Sequence, residues 1–460
     1  MMNANSKRAA AASFITLVLL GTSACSSPIN PGPAPSDSKP AATAPTPAAP
    51  AASASSAPSG QPKVIKVYTG AAPNETTKES RKKTIEAFEA KNPGYKIQWL
   101  EGDNQVEGGK LSTMLNSGVE VPDVINISTG PGRIQALASA NLIMPLDQLY
   151  EQNKWKDKLN PGAVDFMKYN ADKIYEVPNT VDAIQVYYNK EIFNRLGLQV
   201  PKTSDEFGDV LKKIKASGMT PIALGARNGY AIGWLFGNIL QAVAGRAKTA
   251  DILNDKAPWN DPDAVKAASL FGDWVKAGYI DKEAATIDDP GAKARFLDAK
   301  HAMIFIGAWF HVEIVDKKMQ DIVGMFPLPS FKPGETPYPT GGLGNSWVVP
   351  SQVKDVSLAA KWLDFVLSKE YAAVTASNPA ADSIIPSKAA SEAKPVSKLL
   401  EQSIQSISGG SGYNPSVFMG AEAKDAYYQN LTGIIGGLVA PQKAMDNIEA
   451  ADAKERKAAK

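Results

Sequence analysis

Lys63-Val-Ile-Lys-Val-Tyr-Thr-Gly70 reads as a buried strand that ends in a turn, and the next sixty residues repeat the theme. Arg81 to Lys91 places Ile85 and Phe88 on one helical face, and Asn92-Pro-Gly94 stops it. Tyr95-Lys-Ile-Gln-Trp-Leu100 alternates apolar and polar residues with the period of a strand. Lys110 to Asn116 sets Leu111, Met114 and Leu115 at helical spacing, Val121-Pro-Asp-Val-Ile-Asn-Ile127 is strand-like again, and Arg133 to Ala140 is a short helix. Strands that alternate with helices in this way predict an α/β protein whose parallel sheet is covered on both faces.

The pattern resumes beyond Ala183. Ile184 to Tyr188 has strand character. Thr203-Ser-Asp-Glu206 has the form of a capping box, with Phe207, Val210, Leu211 and Ile214 following at helical spacing and Gly218 as the stop. Asp261-Pro262 opens a helix bearing Ala267, Leu270, Phe271 and Trp274. Ala302 to Ile306 is a strand, Gly341-Gly-Leu-Gly-Asn-Ser-Trp-Val-Val-Pro350 is a glycine-rich turn entering a strand, and Leu358, Trp362, Phe365 and Val366 mark a further helix. Asn414 to Lys460 is mostly helical. The body from Lys63 onward is about 400 residues, more than one core accommodates, so two domains are expected.

Composition narrows the function. The 49 basic and 47 acidic side chains leave a net charge of +2, and no basic run is interleaved with aromatics, so nucleic acid is not an expected partner. One cysteine rules out an internal disulfide. Two histidines, His301 and His311, are too few for an expected zinc or haem centre, and no cofactor is expected. The chain has no G-x-x-x-x-G-K-[ST] loop and no G-x-S-x-G elbow. Gly341 to Gly344 lacks dinucleotide-fold spacing and suits a close approach of backbone to a ligand or to another lobe. His301 is expected at a strand edge. Asp182, Asp288 and Asp289 leave a glycosidase-type carboxylate pair open.

The aromatic residues are more telling. Trp99, Trp274 and Trp362 fall on apolar faces and are expected in the core. Trp234, in Asn228-Gly-Tyr-Ala-Ile-Gly-Trp234, and Trp309, in Ile306-Gly-Ala-Trp-Phe310, sit beside glycines at element ends, where side chains are displayed. A flat indole beside a carboxylate or amide matches both the C–H face and the hydroxyl rim of a sugar.

The N-terminus carries an address. Lys7-Arg8, an apolar run from Ala9 to Gly21 and Thr22-Ser-Ala-Cys25 have the layout of a secretory signal. Cys25, the only cysteine, lies at a junction that resembles a bacterial lipobox, where the thiol is acylated; Thr22 departs from the aliphatic residue usual there. Ser26 to Pro62 is almost wholly Ala, Pro, Ser, Thr and Gly, a linker unable to bury enough surface to fold. As a flexible chain it reaches on the order of 30 Å. Nothing from Lys63 onward has the length and apolarity of a membrane-spanning helix. The expectation is an extracytoplasmic protein held on the cell membrane by an N-terminal lipid anchor.

Phe88-Glu-Ala-Lys-Asn-Pro-Gly-Tyr-Lys96, Lys110-Leu-Ser-Thr-Met-Leu115 and Pro122-Asp-Val-Ile125 resemble the first lobe of bacterial extracellular solute-binding proteins. Tyr175-Glu-Val-Pro-Asn-Thr-Val-Asp-Ala-Ile-Gln-Val-Tyr-Tyr-Asn-Lys190 resembles the crossing into the second lobe of the sugar-binding, maltose-binding-protein-like branch. Pro201-Lys-Thr-Ser-Asp-Glu-Phe207, the stretch from Ala302 to Trp309, and Gly341 to Pro350 follow in the order of that family. The resemblance spans Lys63 to Ala450. It implies a two-lobed, type II periplasmic-binding-protein-like fold with a ligand cleft between lobes joined by hinge crossings. On this reading residues 1–24 are the lipoprotein signal, 25–62 the linker, 63–181 and 329–378 the first lobe, and 182–328 and 379–460 the second.

The resemblance also implies roles. Asp182 matches a cleft carboxylate that accepts from sugar hydroxyls. Trp309 matches an indole that stacks on a sugar ring, and Tyr230 and Trp234 an aromatic patch on the second lobe. Ser128, Thr129 and Gly130 match the loop after the third strand, Thr69 and Gly70 the end of the first, and Gly341 and Gly342 would let backbone approach the ligand. Maltose-type members carry a tryptophan and an aspartate where this chain has Ile127 and Gly130, which weakens maltose as the ligand. The implied protein is the carbohydrate-binding component of an ABC importer, a monomer that docks on a membrane permease and is not an enzyme. Two alternatives stay open: a secreted carbohydrate-active enzyme, and a receptor for a peptide, polyamine or ferric iron. Iron would need clustered tyrosines, and Tyr187 and Tyr188 of one strand point to opposite faces.

Overall fold

A computed structural model describes residues 61–458 except 107–108, 161–162, 165–166, 168–172, 380 and 382. The signal segment, Cys25 and the linker up to residue 60 lie outside the described residues. Ten strands are found among those described: β1 (Lys63–Gly70), β2 (Tyr95–Gly102), β3 (Val124–Ser128), β4 (Val177–Pro178), β5 (Val181–Asn189), β6 (Thr220–Ala223), β7 (His301–Ile306), β8 (Val323–Phe326), β9 (Thr340–Leu343) and β10 (Asn345–Val348). They form two sheets, in the orders β2-β1-β3-β10-β4 and β6-β7-β5-β8.

In the first sheet β1 is flanked by parallel neighbours, with Val67 opposite Trp99 of β2 and Val124 of β3. Alternation along β1 buries Ile65 and Val67 completely in a core that includes Phe88, Trp347, Trp362 and Phe365. The helix expected from Arg81 starts at Glu75, because Asn74 caps it: Asn74 Oδ1 accepts from the Thr77 amide at 2.9 Å. That polar first turn has no apolar period to betray it. The expected helix at Arg133 is instead a π-helical turn, Pro131–Gln135, running into Ala136–Ser139.

The second sheet carries the helices Ser204–Ala216, Tyr230–Ala244 and Pro262–Lys276, and the C-terminal helices Ala421–Ile435 and Pro441–Ala458 pack on the latter two. Their shared core includes Phe207, Leu235, Phe271, Trp274 and Tyr427. Thr203 does cap its helix, accepting from the Glu206 amide at 3.2 Å. The Tyr187 and Tyr188 side chains enter different apolar clusters, as strand alternation requires.

Three expectations need correction. The sheets are mixed, not purely parallel: β10 runs antiparallel to β3, and β5 antiparallel to β7, β8 and β9. The cause is the traffic of the chain between the lobes, which brings β10 back into the first sheet in the opposite sense. His301 is no edge residue; it opens an inner strand, is buried, and meets Asp281 Oδ2 at 2.8 Å. Trp99 is only half-buried and turns its ring nitrogen to Thr69.

The crossing between the lobes is built by β5 and β9. Val181 to Ile184 of β5 pair with Leu343 to Thr340 of β9, and Gln185 to Asn189 of the same strand pair into the second sheet with β7 and β8. After Gly344 the chain enters β10 and the first sheet.

Candidate functional site

The carboxyl ends of β1, β2 and β3 and the amino end of β10 lie along one edge of the first sheet. A cavity of about 430 Å³ opens along this edge, lined among others by Thr69, Gly70, Asn104, Ser128, Asn179 and Asn345. Open α/β sheets bind ligands beyond the carboxyl ends of their strands, where backbone and loop side chains converge. Thr69 Oγ1 accepts from Trp99 Nε1 at 2.9 Å and donates to the Gly70 carbonyl at 3.1 Å. Ser128 donates to Asn345 Oδ1 at 3.2 Å, and Asn179 Oδ1 accepts from Trp347 Nε1 and the Tyr371 hydroxyl, each at 3.0 Å. Arg81 also lines the cavity, but it is engaged with Glu101 and donates to the Gly70 carbonyl at 2.8 Å.

Across from this edge, Val312 of the second lobe walls the same cavity. Val312 follows Trp309 by less than one helical turn in the chain. Trp309 leaves the carboxyl end of β7 and forms a half-buried ledge with two residues of the helix that follows β6. The Trp309 and Trp234 rings are 4.9 Å apart, and the Trp234 and Tyr230 rings 5.2 Å. Gly307 makes room for the ledge: a side chain there would collide with the Trp309 ring at 2.2 Å. Burial and the neighbouring Asp289 raise the Tyr230 phenol above its ordinary value, with Lys293 acting against them.

Asp182 sits on the crossing strand. Burial pushes its carboxyl up to about 7, and the nearby Arg133 charge offsets only part of that. Its Oδ1 occupies the space a side chain at Gly344 would need, 2.2 Å away. A carboxylate desolvated in this way gains from any hydroxyl that donates to it.

The expected residues therefore divide. Thr69, Gly70 and Ser128 line the cavity, and Tyr230, Trp234 and Trp309 form one aromatic ledge. Gly341 and Gly342, expected to let backbone approach a ligand, lie close to other parts of the protein, as do Thr129 and Gly130, expected as polar loop contacts after the third strand. Thr129 is buried, and its hydroxyl donates to the Leu343 carbonyl at 2.6 Å. Gly130, at φ +117°, faces the Val417 carbonyl, 2.7 Å from where a Cβ would lie. Gly341 accepts from the Asn414 amide at 2.6 Å, and Gly342 packs on Val417. The segment Ser411–Phe418 takes the space expected for ligand. Sequence reasoning missed Asn104, Asn179 and Asn345; the available signal was an asparagine at or just past a strand end, in Gly-Asp-Asn104, Pro-Asn179-Thr and Gly-Asn345-Ser. A larger groove, about 1160 Å³, runs between the 131–139 segment and the C-terminal helix, and none of the expected site residues lines it.

Two α/β lobes, hinge strands that pass between them and a polar crevice at the strand ends define the class of two-lobed solute receptors. The chain belongs to the bacterial extracellular solute-binding protein family, whose sequence profile matches residues 72–373. An uncharacterized ABC transporter extracellular-binding protein of Pyrococcus horikoshii is 28% identical over 379 residues, covering 78% of this chain and 80% of that one. A maltooligosaccharide ABC transporter solute-binding lipoprotein of Streptococcus pneumoniae is 27% identical over 324 residues, covering 68% and 70%. The solved structure of a chitin oligosaccharide binding protein superposes with a TM-score of 0.72 at 23% identity, over 86% of this chain and 99% of that one, and shows the shared fold. Among the described residues no helix is long and apolar enough to cross a membrane.

Proposed function

We propose that this chain is the receptor of a carbohydrate ABC importer. It captures a sugar or oligosaccharide outside the membrane and delivers it to a permease. The aromatic ledge Tyr230–Trp234–Trp309 carries this reading, because its half-buried ring faces suit the C–H faces of pyranoses and the amide and hydroxyl groups of the strand-end cavity suit their hydroxyl rims. A solute that touches both the ledge and the strand-end cavity favours the closed arrangement of the lobes by its differential contacts. Asp182 accepts from a ligand hydroxyl. Residues 63–181 and 329–378 act as one lobe and 182–328 and 379–460 as the other. Acylation of Cys25 tethers a monomer to the membrane surface, with 25–62 as the leash. The relatives named for ABC transport and maltooligosaccharide binding support this reading. Family membership makes the chain a receptor and not an enzyme, which sets aside the glycosidase alternative.

The test is calorimetric titration of the purified full chain against a panel of mono- and oligosaccharides, with a peptide and a polyamine as controls. Saturable binding to at least one saccharide and none to the controls is expected. Silence toward every saccharide, or binding to a control alone, refutes the reading.

A further inference from the structure

One exposed acid bridges the two lobes. Asp316 ends the helix His311–Asp316, which grows from the Trp309 turn of the second lobe. Its Oδ2 accepts from Asn74 Nδ2 at 2.7 Å and its Oδ1 from Thr76 Oγ1 at 2.6 Å, both in the first lobe and some 240 residues earlier in the chain. Asn74 is the N-cap of the helix Glu75–Lys91, and its own Oδ1 holds the Thr77 amide and hydroxyl, each at 2.9 Å. The Asp316 carboxylate therefore meets two oriented donors at the positive end of a 17-residue helix, where a negative charge is favoured. The contact sits close to the cavity, which Thr76 and Val312 both line.

We propose that Asp316 is a closure clasp: a residue that touches no ligand and positions the lobes by holding the N-terminus of the first lobe's long helix against the second. Both bonds exist only while the lobes are apposed. Losing them lowers the population of the joined form, and the affinity for any solute that requires that form falls by the same factor. The clasp is solvent-exposed, so its share is modest, about fivefold in that population.

The chemistry allows a charge-exchange test. Asn74→Asp keeps a good N-cap but sets two carboxylates face to face. Asp316→Asn keeps an acceptor for Thr76 but sets two amides face to face. The double exchange, N74D with D316N, again opposes one amide donor to one carboxylate. The readout is the interlobe distance in the ligand-free full chain, measured by pulsed electron resonance between spin labels on Lys83→Cys and Lys300→Cys, with Cys25→Ser to remove the native thiol. This readout does not depend on the solute, so it stands if the carbohydrate reading fails. Each single variant is expected to shift the distribution to longer distances at unchanged thermal stability, and the double exchange to restore it. Where a saccharide ligand is in hand, each single weakens binding about fivefold for every saccharide alike, leaving their rank order unchanged. Distributions that superimpose for all four proteins, or a double exchange that stays as open as the singles, overturn the proposal.

Discussion

Trp309→Ala removes the ring at one end of the ledge. The indole is half-buried, packed at 4.9 Å and 55° against Trp234 and seated over Gly307, so it is held in one orientation before any ligand arrives. A sugar ring covering a third of the roughly 200 Å² a tryptophan can bury, at about 25 cal/mol per Å², gains about 1.5 kcal/mol. That corresponds to about a tenfold weaker Kd on truncation. Lost pre-organisation of Trp234 adds to it, so tenfold is the lower expectation. Calorimetric titration of wild type and variant with the best saccharide of the panel measures the change, and the indole also predicts a ligand-dependent fluorescence change that the variant loses. Trp309→Phe, which keeps a flat ring, should recover part of the affinity. A Kd within twofold of wild type for the alanine variant removes Trp309 from the site and with it the main physical reason for a carbohydrate ligand.

Other consequences are readable in stability. Burial pushes the Glu176 carboxyl up to about 7, beyond what the Ser346 hydroxyl offsets, so the folded chain holds a proton that the unfolded chain releases near pH 4.5. The cost of its ionisation grows with pH through that window; the urea midpoint of Glu176→Gln relative to wild type should rise from pH 4.5 to 7 and then level off, and a pH-independent difference contradicts this. Asp281 has the opposite sign: the His301 hydrogen bond, helped by Thr220 and Arg295, holds its carboxyl at about 2. Asp281→Asn should cost about 2 kcal/mol at neutral pH, and chemical denaturation should show the cost vanishing as pH falls through the native carboxyl's titration. Gly130→Ala meets the Val417 carbonyl at 2.7 Å from a backbone that side chains avoid, and should cost about 2 kcal/mol or more by urea denaturation. The control Gly208→Ala, inside the helix Ser204–Ala216 with open space around it, should instead stabilise by about 0.5–1 kcal/mol.

Much of this molecule is legible in its sequence. Strand and helix periods around β1, β2, the Thr203 cap and the Pro262 helix are local signals, and they appear where expected. What the residues could not convey is pairing. The periodicity of Val-Ile-Asn-Ile127 is the same whether β10 enters parallel or antiparallel, because the direction of a neighbour is decided by chain routing hundreds of residues away. The same limit explains the glycines. Gly341 and Gly342 announce a close approach, but only the placement of Ser411–Phe418 decides what approaches. The aromatic ledge was readable because tryptophans beside glycines at element ends are displayed; the asparagines at the strand ends were not, since asparagine in a turn usually serves its own backbone.

The strand β5 has a mechanical consequence. Its pairing passes from β9 to the second sheet between Ile184 and Gln185 without a loop in between. Relative rotation of the lobes would then twist the paired backbones of β5 and β9 together, like a cord twisted about its own length. Points near such an axis barely travel. On the proposed closure, Asp182, two residues from the handover, would travel less than Trp309, which lies off the strand. A solute would therefore settle first on a stationary floor and be met by a moving wall, an order of events that stopped-flow signals from an indole on each element can resolve.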